Sequence, residues 1–140
     1  MLKLRPYSAS MLALGGFLLV AMGIYFVLLR PVLLPEDLLY IGVTLQNAKE
    51  NIPGLLKWLQ KVFWVMGGYI FTTGLLIIYI AITSFRKRLL GAFSVVALAG
   101  ISSIGLMTVV NFMIGSDFKW VLLTFTLPWI IALILYRLHK

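Results

Sequence analysis

Among the polar groups within the long apolar stretches, the hydroxyls of Ser102, Ser103, Thr72, Thr73 and Thr108 and the amide of Asn111 are candidates to attack or polarise a substrate. A hydroxyl becomes a useful nucleophile when a nearby base takes its proton. No histidine or lysine lies within sequence reach of these five, so nucleophilic catalysis has no support. His139 stands alone, second from the end, which argues against a haem or metal role. There is no cysteine, so disulfides, thiolate metal ligation and dithiol redox chemistry are excluded. Asn111, with Thr108 three residues before it, is the most polar deep group. It reads as an interhelical hydrogen bond, or as the polar lining of a small cavity with Tyr69 and Trp129. No reaction is therefore expected at these groups, and no catalytic, cofactor-binding or metal-ligating residue is assigned.

The elements that must position these groups are four uncharged runs, residues 8–29, 62–85, 89–116 and 120–136. Runs of 22, 24, 28 and 17 residues bracket the roughly 20 that a helix needs to cross a hydrocarbon core about 30 Å thick. In lipid the backbone must satisfy its own hydrogen bonds, so the runs are expected to be helices. A hydrophobic content of 62% against 11% charged fits one transmembrane domain. No ionisable side chain falls inside a run, which removes the usual mark of proton pumps and voltage sensors. Small multidrug-resistance transporters carry a carboxylate in the first helix, and residues 8–29 have none.

Orientation follows from the basic residues. Lys3, Arg5, Arg86, Lys87, Arg88, Arg137 and Lys140 fall on one expected face, with no acid among them. Arg30, Lys49, Lys57, Lys61 and Lys119 fall on the other, with Glu36, Asp37, Glu50 and Asp117. Cytoplasmic loops collect Lys and Arg, so both termini are expected in the cytoplasm of a cell inner membrane. The net charge of +8 is split among these flanks and forms no contiguous stripe, so no nucleic-acid partner is expected. The first run is longer than a signal-peptide core and lacks a small-residue exit before Arg30-Pro31, so it is expected to be retained.

Spacing within the runs suggests their packing. Gly16 and Gly23 are seven apart, as are Gly67 and Gly74, which places each pair on one helix face. Gly68–Thr72 and Ala99–Ser103 are small-residue pairs four apart. Small residues let helix backbones approach in lipid, either inside the bundle or at a homodimer seam. The third run, about 42 Å as a helix, is expected to tilt or to emerge at its 111–116 end; the fourth spans about 26 Å and is expected to kink at Pro128. Trp58, Phe63, Trp64, Phe118, Trp120 and Tyr136 sit where interfacial anchors would. Between the first two runs, residues 30–61 open on Pro35-Glu36-Asp37 and place Leu38, Ile41, Leu45 and Ala48 at helical spacing. This predicts an amphipathic helix over the outer ends of the bundle, ended by Asn51-Ile52-Pro53-Gly54.

Two resemblances bear on function. Asn47-Ala48-Lys49-Glu50-Asn51-Ile52-Pro53 resembles the N-x-x-E-N-x-P motif of microsomal glutathione transferases. That likeness implies a membrane enzyme whose glutathione binding depends on Glu50. In that family the motif opens the second helix on the cytosolic side; here it precedes residue 62 on the expected outer side, and the later Arg/Tyr elements are missing. The whole chain is similar to small DoxX-like bacterial inner-membrane proteins. The likeness rests on Arg30-Pro31, Pro35, Lys57-Trp58, Val65-Met66-Gly67-Gly68-Tyr69, Gly74 and the basic Arg86-Lys87-Arg88 turn. It implies a four-helix membrane fold and, for some members, a link to respiratory or redox complexes.

The expectation is thus an all-α integral membrane four-helix bundle, N-in and C-in, with an extracytoplasmic helical connection. Its leading function is that of a non-enzymatic accessory or structural subunit, partnered by membrane lipids and by another membrane protein or a second copy. The first alternative is a binder or carrier of a neutral apolar molecule, lipid or quinone. The glutathione-transferase type of enzyme comes third.

Overall fold

The computed structural model describes residues 5–138, and all regular structure among them is helical. The readings that involve Lys3, His139 and Lys140 lie outside the described residues. Helix α1 (Arg5–Leu28) leads to two short helices, α2 (Pro35–Ile41) and α3 (Leu45–Asn51), and then to α4 (Leu55–Ile80). A widened π turn, Ala81–Phe85, extends α4. The third long element is α5 (Ala92–Gly100), a second π turn, Ile101–Gly105, and α6 (Leu106–Met113), followed by α7 (Lys119–Leu138). Four segments, Tyr7–Leu28, Leu55–Phe85, Ala92–Met113 and Lys119–Leu138, are long and apolar enough to cross a membrane, which marks a multi-pass helical membrane protein. Their up-and-down order brings Arg86, Lys87, Arg88 and Arg137 to one end of the bundle and the α2–α3 connection to the other.

Several boundaries differ from the sequence expectation, each for a local reason. The second span begins at Leu55, two turns before residue 62, because the Pro53-Gly54 turn leads straight into helix and Lys57 and Lys61 can extend their charges outward. The third span is shorter than its uncharged run. Arg88 (φ 56°) and Gly91 (φ 82°) use left-handed backbone in the turn before it, and Gly115 (φ 71°) ends it. The extra length thought to force a tilt or an emergence is therefore turn rather than helix. The fourth span is a 20-residue helix that runs through Pro128 without interruption. Thr124 and Thr126 donate to the carbonyls of Val121 and Leu123, and not to the Thr124 carbonyl that proline leaves without its amide.

The connection forms two short helices rather than one amphipathic helix. Gly42 at φ 76° caps α2 in left-handed backbone, and the Thr44 hydroxyl caps α3 by accepting from the Asn47 amide at 3.1 Å. The Leu38, Ile41, Leu45 and Ala48 stripe is thereby broken: Ala48 is buried, whereas Ile41 and Leu45 are exposed.

Helix α1 is central, packing along α4 on one side and α7 on the other, while α7 also packs on α5 and α6. The α1–α4 seam is built from glycine. A Cβ at Gly74 would lie 2.7 Å from the Gly16 carbonyl, and one at Gly67 would lie 2.9 Å from the Gly23 carbonyl. Gly68 points away from this seam, with nothing within 4 Å of its would-be Cβ, because one residue turns a helix by about 100°. The solid core lies toward the basic end. Leu12, Ala81, Phe85, Val96, Trp129 and Ala132 are almost fully buried there, and the Phe85 and Tyr136 rings pack at a 36° tilt with centroids 4.4 Å apart. Arg88 closes that end by donating Nη1 to the Tyr136 carbonyl at 2.8 Å, while its guanidinium lies 4.4 Å over the Tyr136 ring.

Candidate functional site

Toward the α2–α3 end the bundle is hollow. Glycine draws α4 onto α1, and α7 holds the third span, but α4 and α6 share no packing seam. The gap between them is a cavity of about 580 Å³. Leu19, Met22, Tyr25 and Phe26 of α1 form one wall, and Phe63, Met66 and Ile70 of α4 a second. Facing these are Leu106, Met107, Val110 and Asn111 of α6, with Val121 and Leu122 of α7 behind. Met66, Leu106 and Val110 are also exposed, so the cavity reaches the side of the bundle where lipid would lie. Three methionines, Met22, Met66 and Met107, give its wall adaptable, polarisable side chains.

The connection covers the mouth. Arg30 and Asp37 both line it and pair at 3.1 Å, their side chains 9% and 16% exposed. The Arg30 guanidinium lies 3.7 Å over the Phe63 ring and 5.4 Å from the Phe26 ring centroid, and it also donates to the Pro31 and Val32 carbonyls. Asp37 additionally accepts from the Leu34 amide at 2.9 Å, which fixes the start of α2. A second tie joins Ser116, whose hydroxyl donates to the buried Glu36 carboxylate at 3.2 Å. Removing one partner of a largely buried pair strands the other charge. Arg30→Leu should therefore cost about 3 kcal/mol in unfolding free energy and raise protease cutting near Val43. Arg30→Leu combined with Asp37→Leu should recover part of that loss; two independent, additive losses would show that the pair does not hold the connection.

No protein-family model, curated protein or solved structure matches this chain. The reading of the site therefore rests on its own residues.

The structure brings only some of the sequence candidates to the cavity. Asn111 lines it, with Nδ2 donating to the Met107 carbonyl at 2.9 Å. Ser103 also lines it, together with Ser102, both on the second π turn, a feature frequent at functional sites. The Ser103 hydroxyl bonds back to the carbonyl of Ala99, which packs at the edge of the core. Tyr69 does not reach the cavity: it is 73% exposed, about 200° round α4 from the Gly67 face. Trp129 is 2% exposed and belongs to the core, where Nε1 donates to the Val96 carbonyl at 3.0 Å. Thr108 is buried and bonds back to the Ile104 carbonyl, outside the cavity lining. The Asn47 to Asn51 motif lies on α3, where Glu50 accepts from Gln46 and the Asn51 amide donates to the Asn47 carbonyl; none of these residues lines the cavity. Sequence reasoning missed Arg30 and Asp37 as site residues, and named Ser102 only as a nucleophile without a base. An Arg-Pro step seven residues before an acid was the available signal.

Proposed function

We propose that this protein binds one lipophilic molecule, of lipid or quinone type, within the membrane. The observation that carries the reading is the 580 Å³ cavity, apolar over most of its wall and open toward the side of the bundle. Ligand sites of roughly 300–1,000 Å³ with a few placed polar groups are typical of small-molecule binders. Binding in this form needs no reaction at Ser102, Ser103 or Asn111. The test is extraction in native lipid followed by native mass spectrometry of the wild-type protein and of Met107→Trp, whose indole would occupy the space. The wild type should carry a bound small molecule, and the variant should lose at least about 90% of it while staying folded, since the lining makes most of the contact. A wild type that carries nothing would overturn the proposal.

An accessory-subunit role is the second reading, favoured by Leu39, Tyr40 and Ile41 of α2, apolar side chains more than half exposed on the connection. The same spectra would support it if a second protein appeared at fixed ratio. Both readings place the protein in a cell inner membrane with both termini in the cytoplasm, supported by the basic residues at the Arg88 end. The chain has no cysteine, so single cysteines report cleanly. Asn51→Cys should label from outside intact cells and Lys87→Cys should not; the reverse pattern would invert the topology.

A further inference from the structure

We infer that the cavity selects a lipophile bearing a hydroxyl group and discriminates against the same skeleton carrying an ether in its place. The inference rests on the binding role proposed above and names the polar end of the ligand. It comes from accounting for the donors and acceptors along the wall. Ser102 and Ser103 spend their hydroxyl hydrogens on the carbonyls of Leu98 and Ala99, so what each can offer a guest is an oxygen lone pair. Asn111 spends one amide hydrogen on the Met107 carbonyl, an assignment that requires nitrogen at that position and leaves Oδ1 as an acceptor. At the mouth the Asp37 carboxylate takes bonds from Arg30 and the Leu34 amide through Oδ2, leaving Oδ1 without one of these donors.

Arg30 holds opposing donors, but it directs at most three of its five N–H hydrogens at Asp37 and at the Pro31 and Val32 carbonyls, and its guanidinium lies 3.7 Å over the Phe63 ring. Ser116, also in the lining, donates to Glu36 and accepts from the Phe118 amide, so it is engaged in both directions. The remaining Arg30 N–H groups, the Tyr25 hydroxyl and the second Asn111 amide hydrogen are the donors left, set against the lone pairs of Ser102, Ser103, Asn111 and Asp37. A guest hydroxyl gives these oxygens a proton, whereas an ether oxygen faces them as another acceptor and leaves them unpaired, the more costly outcome in a low-dielectric site. Asp37 and Asn111 at the mouth would hold the hydroxyl, and the apolar tail would run inward past Met107 to Leu19 and Ile70.

The test is a competition between 1-hexadecanol and hexadecyl methyl ether at equal mole fraction in detergent micelles, read as bound mass by native mass spectrometry. The wild type should favour the alcohol by about tenfold, the scale of one added hydrogen bond to a desolvated acceptor. Asn111→Leu should lose occupancy by the alcohol, so that the preference falls toward one; Asn111 bonds within its own helix turn, so a melting curve should confirm that the fold survives. Ser103→Ala gives a second, milder reading of the same shift. Equal occupancy of the two probes in the wild type, or a preference unchanged in both variants, would overturn the hydroxyl inference while leaving the binding role intact. Failure of both probes to bind would instead count against the binding role itself.

Discussion

Replacing Gly74 by alanine is expected to destabilise the bundle by about 3 kcal/mol, the upper part of the usual range for overpacking. The new methyl would lie 2.7 Å from both the Gly16 carbonyl oxygen and the Val20 amide nitrogen. Both are backbone atoms and cannot rotate away, so the helices must part along the whole seam and lose its dispersion contacts. Gly23→Ala meets the Phe71 backbone at 2.6 Å and should behave alike. Gly68→Ala meets nothing within 4 Å and should change stability by no more than about 0.5 kcal/mol. Unfolding midpoints in a mixed-micelle denaturation series would check this, and equal losses at Gly68 and Gly74 would disprove the α1–α4 seam.

Trp129→Ala is expected to be the more damaging change, at about 4 kcal/mol. The indole is 2% exposed and lies against Gly100, where a Cβ would fall 2.6 Å from Nε1. Gly100 thus provides the slot through which Trp129 reaches the Val96 carbonyl. Gly100→Ala should destabilise by forcing the indole out, and its cost should shrink in a Trp129→Phe background because the clashing nitrogen is gone. That coupling is the expected signature of groups sharing one space. Additive losses would show that the slot is not shared. Neither residue lines the cavity, so conservative Trp129→Phe should keep ligand binding while losing stability.

The glycines show how far the residues alone could be read. Seven-residue spacing places Gly16 with Gly23 and Gly67 with Gly74, since seven residues nearly complete two helix turns. What spacing cannot say is which neighbour the glycine face meets, and the seam proves to lie within the bundle, against α1. Gly67 and Gly68 are indistinguishable as letters, yet one touches Gly23 and the other touches nothing. Tyr69 and Trp129, expected at the cavity, both lie elsewhere. Tyr69 points away from α1, and Trp129 enters the core through the gap at Gly100. Asn111 was legible as a cavity residue, but the hydrogen bond expected to cross to another helix closes instead within its own turn, on the Met107 carbonyl.

By itself the sequence determined the helical class and the approximate places of the four spans, because these follow from properties local to each segment. Hydrocarbon length, obligatory backbone hydrogen bonding and the cost of burying charge act on one run at a time. Tertiary structure decided where the bundle is solid and where it is hollow. It also joined Arg30 to Asp37, and Glu36 to Ser116 eighty residues away. A cavity is a property of the space between helices. It arises here because close glycine packing draws α4 to α1 and leaves α6 out of reach, an outcome of the faces in contact rather than of any one helix.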